Sequence, residues 1–302
     1  MARRDLAIYG LTAAAVVGIA GLAFYGSAQL MSPRRSDHRD DPLAWGLDCE
    51  EVQFKSSDGV NVRAWLVRGS GPSAVIVLHG HGGNRHTSLA YAAYLYPDFS
   101  LIIPDLRGHG ESEGRHTSVG YLERLDVIAA AAYLRDLGFQ KIGVLGISMG
   151  GATAILAAAE TPLIDAVIAD SAFALLRNAV REGARIRGYP GPMALPLAYL
   201  SCRATALRLR YRMQLGDPLG VVAAIAPPPP LLLIHGEADS FTLVQNAHAL
   251  YAAAGEPKDL WLIPNAEHAR AIEEDGTAYK ERVLSFFRKW LPTSDEPNKK
   301  ST

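Results

Sequence analysis

Short, continuous apolar runs recur along this chain, several of them ending in glycine-rich turns, with longer stretches of mixed polarity between them. Residues 74–78, 101–104, 142–146, 166–169, 231–234 and 260–263 are runs of this kind. An unbroken apolar run of strand length marks a strand buried on both faces, whereas a half-exposed strand would alternate. Ahead of them, residues 51–54 and 60–68 straddle the turn Ser56-Ser57-Asp58-Gly59 and predict an antiparallel hairpin. Helical stretches fill the gaps, for instance residues 121–137 and 279–290. Eight strands alternating with helices predict an α/β fold with a mostly parallel sheet covered by helices on both faces. A length of 302 residues suits one such core.

Residues 6–33 contain no charged side chain and are mostly Ala, Val, Ile, Leu, Phe and Gly. That exceeds the ~20 residues needed to cross a bilayer. Tyr9 and Tyr25 would stand about 24 Å apart along a helix, a spacing suited to interfacial anchors. The expectation is an N-terminal transmembrane anchor over residues 1–33. Two other readings stay open: a signal peptide cut near Gly26-Ser27-Ala28, and a helix buried in the domain. Arg3 and Arg4 before the run and Arg34, Arg35 and Arg39 after it leave the orientation undetermined. Residues 34–46 read as a charged linker, 47–291 as the globular domain, and 292–302 as a disordered polar tail.

The formal net charge of −1 offers no electrostatic basis for binding nucleic acid. Cys49 and Cys202, far apart in sequence, suit neither a disulfide framework nor a short-spaced metal site. The chain has no H-E-x-x-H, paired C-x-x-C or P-loop motif, so no cofactor and no metal are expected.

The chemistry concentrates where predicted strands end. Residues 142–145 lead into Gly146-Ile147-Ser148-Met149-Gly150, followed by a helix of small residues. Strand, sharp turn and helix are the setting of a nucleophile elbow, with Ser148 as nucleophile. A neutral serine attacks poorly and needs a base that is itself held in place. His268, on a loop after the last strand, is the candidate base. Asp239, just past residues 231–234, is the candidate acid, with Glu237 and Asp170 as rivals. The glycine-rich loop His79-Gly80-His81-Gly82-Gly83-Asn84 and the start of the helix after Ser148 suggest an oxyanion hole from the backbone N–H groups of His81 and Met149. His79, His109 and His235 read as structural.

At these residues the chain resembles the α/β-hydrolase superfamily, and most closely its bacterial serine aminopeptidase-like or prolyl-oligopeptidase-like members. Further marks of the resemblance are Pro104-Asp105-Leu106-Arg107-Gly108-His109-Gly110-Glu111-Ser112 and Asp170-Ser171-Ala172-Phe173. The family pattern places an apolar residue and proline shortly after the acid, whereas here Asp239 is followed by Ser240-Phe241-Thr242-Leu243. The resemblance implies an α/β-hydrolase fold and hydrolysis through an acyl-enzyme on Ser148, His268 and Asp239. A small-molecule or lipid-like ester or thioester is the expected substrate. Amide cleavage is the alternative, and a non-catalytic binding module on the same fold is the alternative of another class.

Residues 175–225, between two strands, are too long for a plain connection and are expected to form a small helical cap. Eight arginines in this stretch face only Glu182 and Asp217. Arg177, Arg181 and Arg185 recur at helical spacing, so they are expected to form a basic stripe facing an anionic surface or substrate.

Overall fold

The computed structural model of the chain describes residues 2–32 and 35–293; the expected tail beyond 293 and the junction at Pro33 and Arg34 lie outside the described residues. Eight strands make one sheet: β1 (Glu50–Lys55), β2 (Asn61–Val67), β3 (Ser73–Leu78), β4 (Ser100–Pro104), β5 (Lys141–Ile147), β6 (Ala166–Asp170), β7 (Leu231–Gly236) and β8 (Lys258–Ile263). Their spatial order is β1-β2-β4-β3-β5-β6-β7-β8. β1 and β2 form the expected hairpin, and β2 joins β4 antiparallel; every pairing from β4 to β8 is parallel. All parallel strands therefore end at one edge of the sheet, where catalytic groups gather in α/β folds.

The helices are α1 (Ala2–Met31), α2 (Leu89–Ala92), α3 (Glu123–Asp136), α4 (Met149–Ala158), α5 (Leu176–Ile186), α6 (Gly191–Arg208), α7 (Pro218–Val222), α8 (Gln245–Ala253), α9 (Ala271–Glu274) and α10 (Gly276–Trp290). Strand residues alternate between two cores. Ala74, Ile76 and Leu78 pack with Val127, Leu134 and Ile155 on one face, while Val75 and Val77 pack with Tyr279, Val283 and Phe287 on the other. Both faces of β3 are filled, which is why its sequence shows no polar alternation. Gly143 in β5 makes room for α10, since a methyl group there would lie 2.7 Å from the Phe287 ring.

The N-terminus departs from the expected boundaries. α1 is long and apolar enough over Thr12–Met31 to cross a membrane. Its last turns, however, are part of the domain: Ala23, Ser27 and Met31, each four residues apart, are 7%, 0% and 2% exposed. The partner is α6, and Gly26 of α1 lies so close to Ser201 that a Cβ there would displace the serine hydroxyl. Thr205 Oγ1 donates to Ser27 Oγ at 3.1 Å, and Arg208 donates to the same oxygen at 3.2 Å. Small residues on both helices permit this close approach, and hydroxyls satisfy one another across it.

The expected linker is likewise held to the domain. Ser36 N–H donates to the Gly82 carbonyl at 3.0 Å, Arg35 to that of Gly110 at 2.7 Å, and Asn84 Nδ2 to the carbonyls of Ser36 and His38. These bonds fasten the segment after α1 across two loops at the edge where the parallel strands end.

Candidate active site

Ser148 stands between β5 and α4 with φ 54° and ψ −112°. A non-glycine residue at positive φ is strained, and such strain persists only where the surroundings enforce it. The flanking glycines explain the enforcement. A Cβ on Gly150 would sit 2.7 Å and 2.8 Å from the carbonyl oxygens of Leu78 and His79, and one on Gly146 would collide with the backbone of Gly150. Ser148 N–H is held by the Asp170 carbonyl at 2.7 Å, which ties the turn to β6. α4 is buried throughout and starts at Met149, whose N–H has no intrahelical acceptor.

Three side chains predicted separately meet here. Ser148 Oγ lies 2.9 Å from His268 Nε2, and His268 Nδ1 lies 2.7 Å from Asp239 Oδ2. A carboxylate can only accept, so Nδ1 carries the proton and Nε2 of the neutral ring is the acceptor facing serine. Asp239 is buried, which by itself would raise its pKa. Hydrogen bonds from His235 and His268 and from the Thr242 N–H outweigh that cost and hold it at about 2, below the ordinary 3.8. The backbone N–H groups of Phe241 and Thr242 reach Asp239 Oδ1 at 2.9 and 2.6 Å. In this chain the turn after the acid, with no proline in it, supplies those two donors.

The rival acids are engaged elsewhere. Asp170 is fully buried and accepts from Ser171 Oγ and from Tyr279 OH, both at 2.9 Å; burial raises its pKa against those two bonds. Glu237 is exposed, and its N–H is bound to the Ile263 carbonyl. The loop carrying His268 is fixed by residues to which the sequence assigned no role. Ser171 Oγ accepts from the Ala269 N–H at 3.1 Å, Tyr91 OH donates to the Ala269 carbonyl at 2.9 Å, and the Phe241 ring lies 5.0 Å from the His268 ring. The sequence signals for Ser171 were its place after a strand and within the Asp170-Ser171-Ala172-Phe173 motif, neither of which indicated a partner.

The loop of residues 79–84 runs beside Ser148: a Cβ on Gly80 would be 3.6 Å from Ser148 Cβ. His79 is structural, as expected. Its Nδ1 donates to the Gly80 carbonyl and its Nε2 accepts from the Leu106 N–H, and burial pushes its pKa down to about 4. The exposed His81 ring, by contrast, donates from Nε2 to the Leu30 carbonyl at 2.9 Å, at the end of α1. Asp105 organises the neighbouring loop by accepting from the Arg85 and Glu111 N–H groups at 2.7 and 2.9 Å.

α5, α6 and α7 occupy the expected cap segment. Gly183 of α5 packs on Phe241, so the cap reaches the ring that touches His268. The expected arginine stripe is not free. Arg181 and Arg185 pair with the buried Glu182 at 2.6 and 3.1 Å, and Arg177 lies 3.9 Å from Asp217. Among the described residues no group of three or more His, Cys, Asp or Glu is arranged to hold a metal ion, and both cysteines are free.

Residues 73–189 match the family model described as the alpha/beta hydrolase fold. The chain is 30% identical over 257 residues to the uncharacterized protein YfhR of Escherichia coli O157:H7, covering 82% of each chain. It is 32% identical over 267 residues to the uncharacterized protein YqkD of Bacillus subtilis, covering 84% of this chain and 85% of that one. Among solved structures it is similar to the Pyrococcus furiosus esterase Pf2001, with a TM-score of 0.72 and 25% identity over 86% of this chain and 99% of that one. With its sheet order, its strand-end residues and these relatives in agreement, the chain belongs to the alpha/beta hydrolase family.

Proposed function

We propose that this hydrolase cleaves carboxylic ester or thioester bonds through an acyl-enzyme, with Ser148, His268 and Asp239 as its triad. The observation that carries the reading is the unbroken line of hydrogen bonds from Ser148 Oγ through His268 to Asp239, at 2.9 and 2.7 Å. Ser148 Oγ attacks the carbonyl carbon while its proton passes to His268 Nε2. Asp239, ionised across the neutral range, stabilises the imidazolium that results. The N–H groups of Met149 and His81 receive the developing oxyanion, and the N-terminus of α4 adds its dipole. His268 then protonates the departing alkoxide or thiolate, leaving the acyl group on Ser148. Water then attacks the acyl carbon as it gives a proton to His268, and the bond to Ser148 Oγ breaks as His268 returns that proton to the serine, releasing the acid and restoring the enzyme.

Ester cleavage is preferred over amide cleavage because an alkoxide or thiolate is the better leaving group and the similar Pyrococcus protein is an esterase. The peptidase-like part of the sequence resemblance would use the same three residues. The test is fluorophosphonate labelling together with turnover of a p-nitrophenyl ester series by the full chain. Both should vanish in Ser148→Ala; turnover that persists in the folded variant removes Ser148 from the mechanism.

A further inference from the structure

The free positive charge of the cap lies where α1 leaves the domain. α1 and α6 run antiparallel: Gly26 faces Ser201, Ser27 faces Thr205, and the Phe24 ring lies 4.4 Å from the Arg208 guanidinium. Toward the N-terminus, every side chain described between residues 9 and 22 is exposed, including Tyr9 and Val17 at 72% each. α1 therefore projects past the C-terminal end of α6 as a bare apolar rod. Its uncharged part outside the domain, residues 6–22, is about 25 Å long, near the lower limit for crossing a bilayer.

Beside the point of exit stand Arg203, Arg208, Arg210 and Arg212, all exposed, with Leu207 at 70% and Leu215 at 42% exposure. Residues 183–216 contain no Asp or Glu. Arg203, Arg210 and Arg212 form no ion pair among the described residues, in contrast to Arg181 and Arg185. A solvated face of this length usually mixes signs; this one pairs unneutralised arginines with exposed leucines beside an apolar helix.

We propose that the C-terminal end of α6 and the turn after it form a lipid-facing surface that takes anionic phospholipid headgroups, while α1 continues from it into the bilayer. Continuity with α1 points to a membrane as the occupant, and the unpaired arginines point to its anionic lipids. The same geometry sets the height of the active site. Leu30, whose carbonyl holds His81, is seven residues beyond Ala23, so the loop beside Ser148 lies about 10 Å along the helix axis from the exit point. If the ester-hydrolase reading holds, its substrate class is an acyl ester lodged in the same membrane, with the scissile bond at headgroup level.

The test uses the full chain with Leu207→Cys carrying an environment-sensitive fluorophore, in nanodiscs of phosphatidylcholine alone or mixed with phosphatidylglycerol. A quencher attached to lipid headgroups reports proximity, and the same label at Ser285 on α10 is the control. The expected result is quenching at 207 but not at 285, at least about twofold stronger with phosphatidylglycerol and weakened by salt. Changing Arg203, Arg210 and Arg212 to Gln should bring it down to the phosphatidylcholine value, with fluorophosphonate labelling unchanged. No quenching at 207 in either lipid overturns the proposed orientation. Quenching that neither phosphatidylglycerol nor the triple change alters removes the anionic lipid. Loss of fluorophosphonate labelling in the unmutated chain bears only on the hydrolase reading, because the quenching readout needs no turnover.

Discussion

Asp239→Asn preserves shape and alters only what the side chain offers its neighbours. Oδ1 of Asp239 accepts the N–H groups of Phe241 and Thr242 at 2.9 and 2.6 Å, while Oδ2 accepts His268 Nδ1 at 2.7 Å. An asparagine has one acceptor oxygen and one NH2 group to place at those positions. Two backbone donors fixed by the turn outweigh one side-chain donor, so the amide oxygen takes the Oδ1 site and the NH2 group faces His268. Nδ1 must then accept, which moves the ring proton to Nε2, where it points at Ser148 and can no longer receive the serine proton. A reversed tautomer in a triad costs about 10⁴-fold in kcat. That corresponds to about 5 kcal/mol of barrier. Steady-state turnover of p-nitrophenyl butyrate at neutral pH measures it, with circular dichroism to establish that the variant folds. Asp170→Asn is the paired control: it disturbs the Ser171 and Tyr279 bonds and should keep kcat within about tenfold. A folded Asp239→Asn protein with kcat within tenfold of the parent, or an Asp170→Asn protein with the larger loss, would refute the assignment of Asp239 as the acid.

Gly150→Ala drives a methyl group to within 2.7 Å of the Leu78 carbonyl, which cannot move without shifting β3. It should destabilise the fold by about 1–3 kcal/mol in urea titration and lower turnover, and an unchanged unfolding midpoint would contradict the packing account. Tyr279→Phe removes a donor from the fully buried Asp170; a loss of about 1–3 kcal/mol with turnover largely kept is expected, read by thermal melting. Asp239 binds its proton more weakly folded, at about 2, than unfolded, near 3.8, so its ionised form contributes about 2 kcal/mol of stability above pH ~4. That contribution is lost as pH falls through about 2, and the acid-unfolding curve of Asp239→Asn should be flatter between pH 4 and 2 than that of the parent.

Local patterns and short motifs carried much of this molecule. The apolar runs marked all six parallel strands: β3 to β7 because a strand covered on both faces must be largely apolar, and the half-buried edge strand β8 through its run at residues 260–263. The glycines beside Ser148 were legible because a tight elbow leaves no room for Cβ atoms, and the structure shows the atoms that would be struck. The choice among Asp239, Asp170 and Glu237 depends on where loops from β6, β7 and β8 point after long crossovers, which chain order restricts without deciding. The clamp of Ser171 on Ala269 is likewise a contact between distant segments, while the bonds from Phe241 and Thr242 to Asp239 are local to one turn, and no periodicity encodes either. Spacing placed Arg181 and Arg185 on one face of a helix but said nothing of the buried Glu182 that neutralises them. The apolar N-terminal run shows the division most clearly. Hydropathy reads the same whether a helix is covered by lipid or by another helix, because both remove apolar surface from water. Only its packing against α6 separates residues 23–31, which belong to the domain, from residues 9–22, which do not.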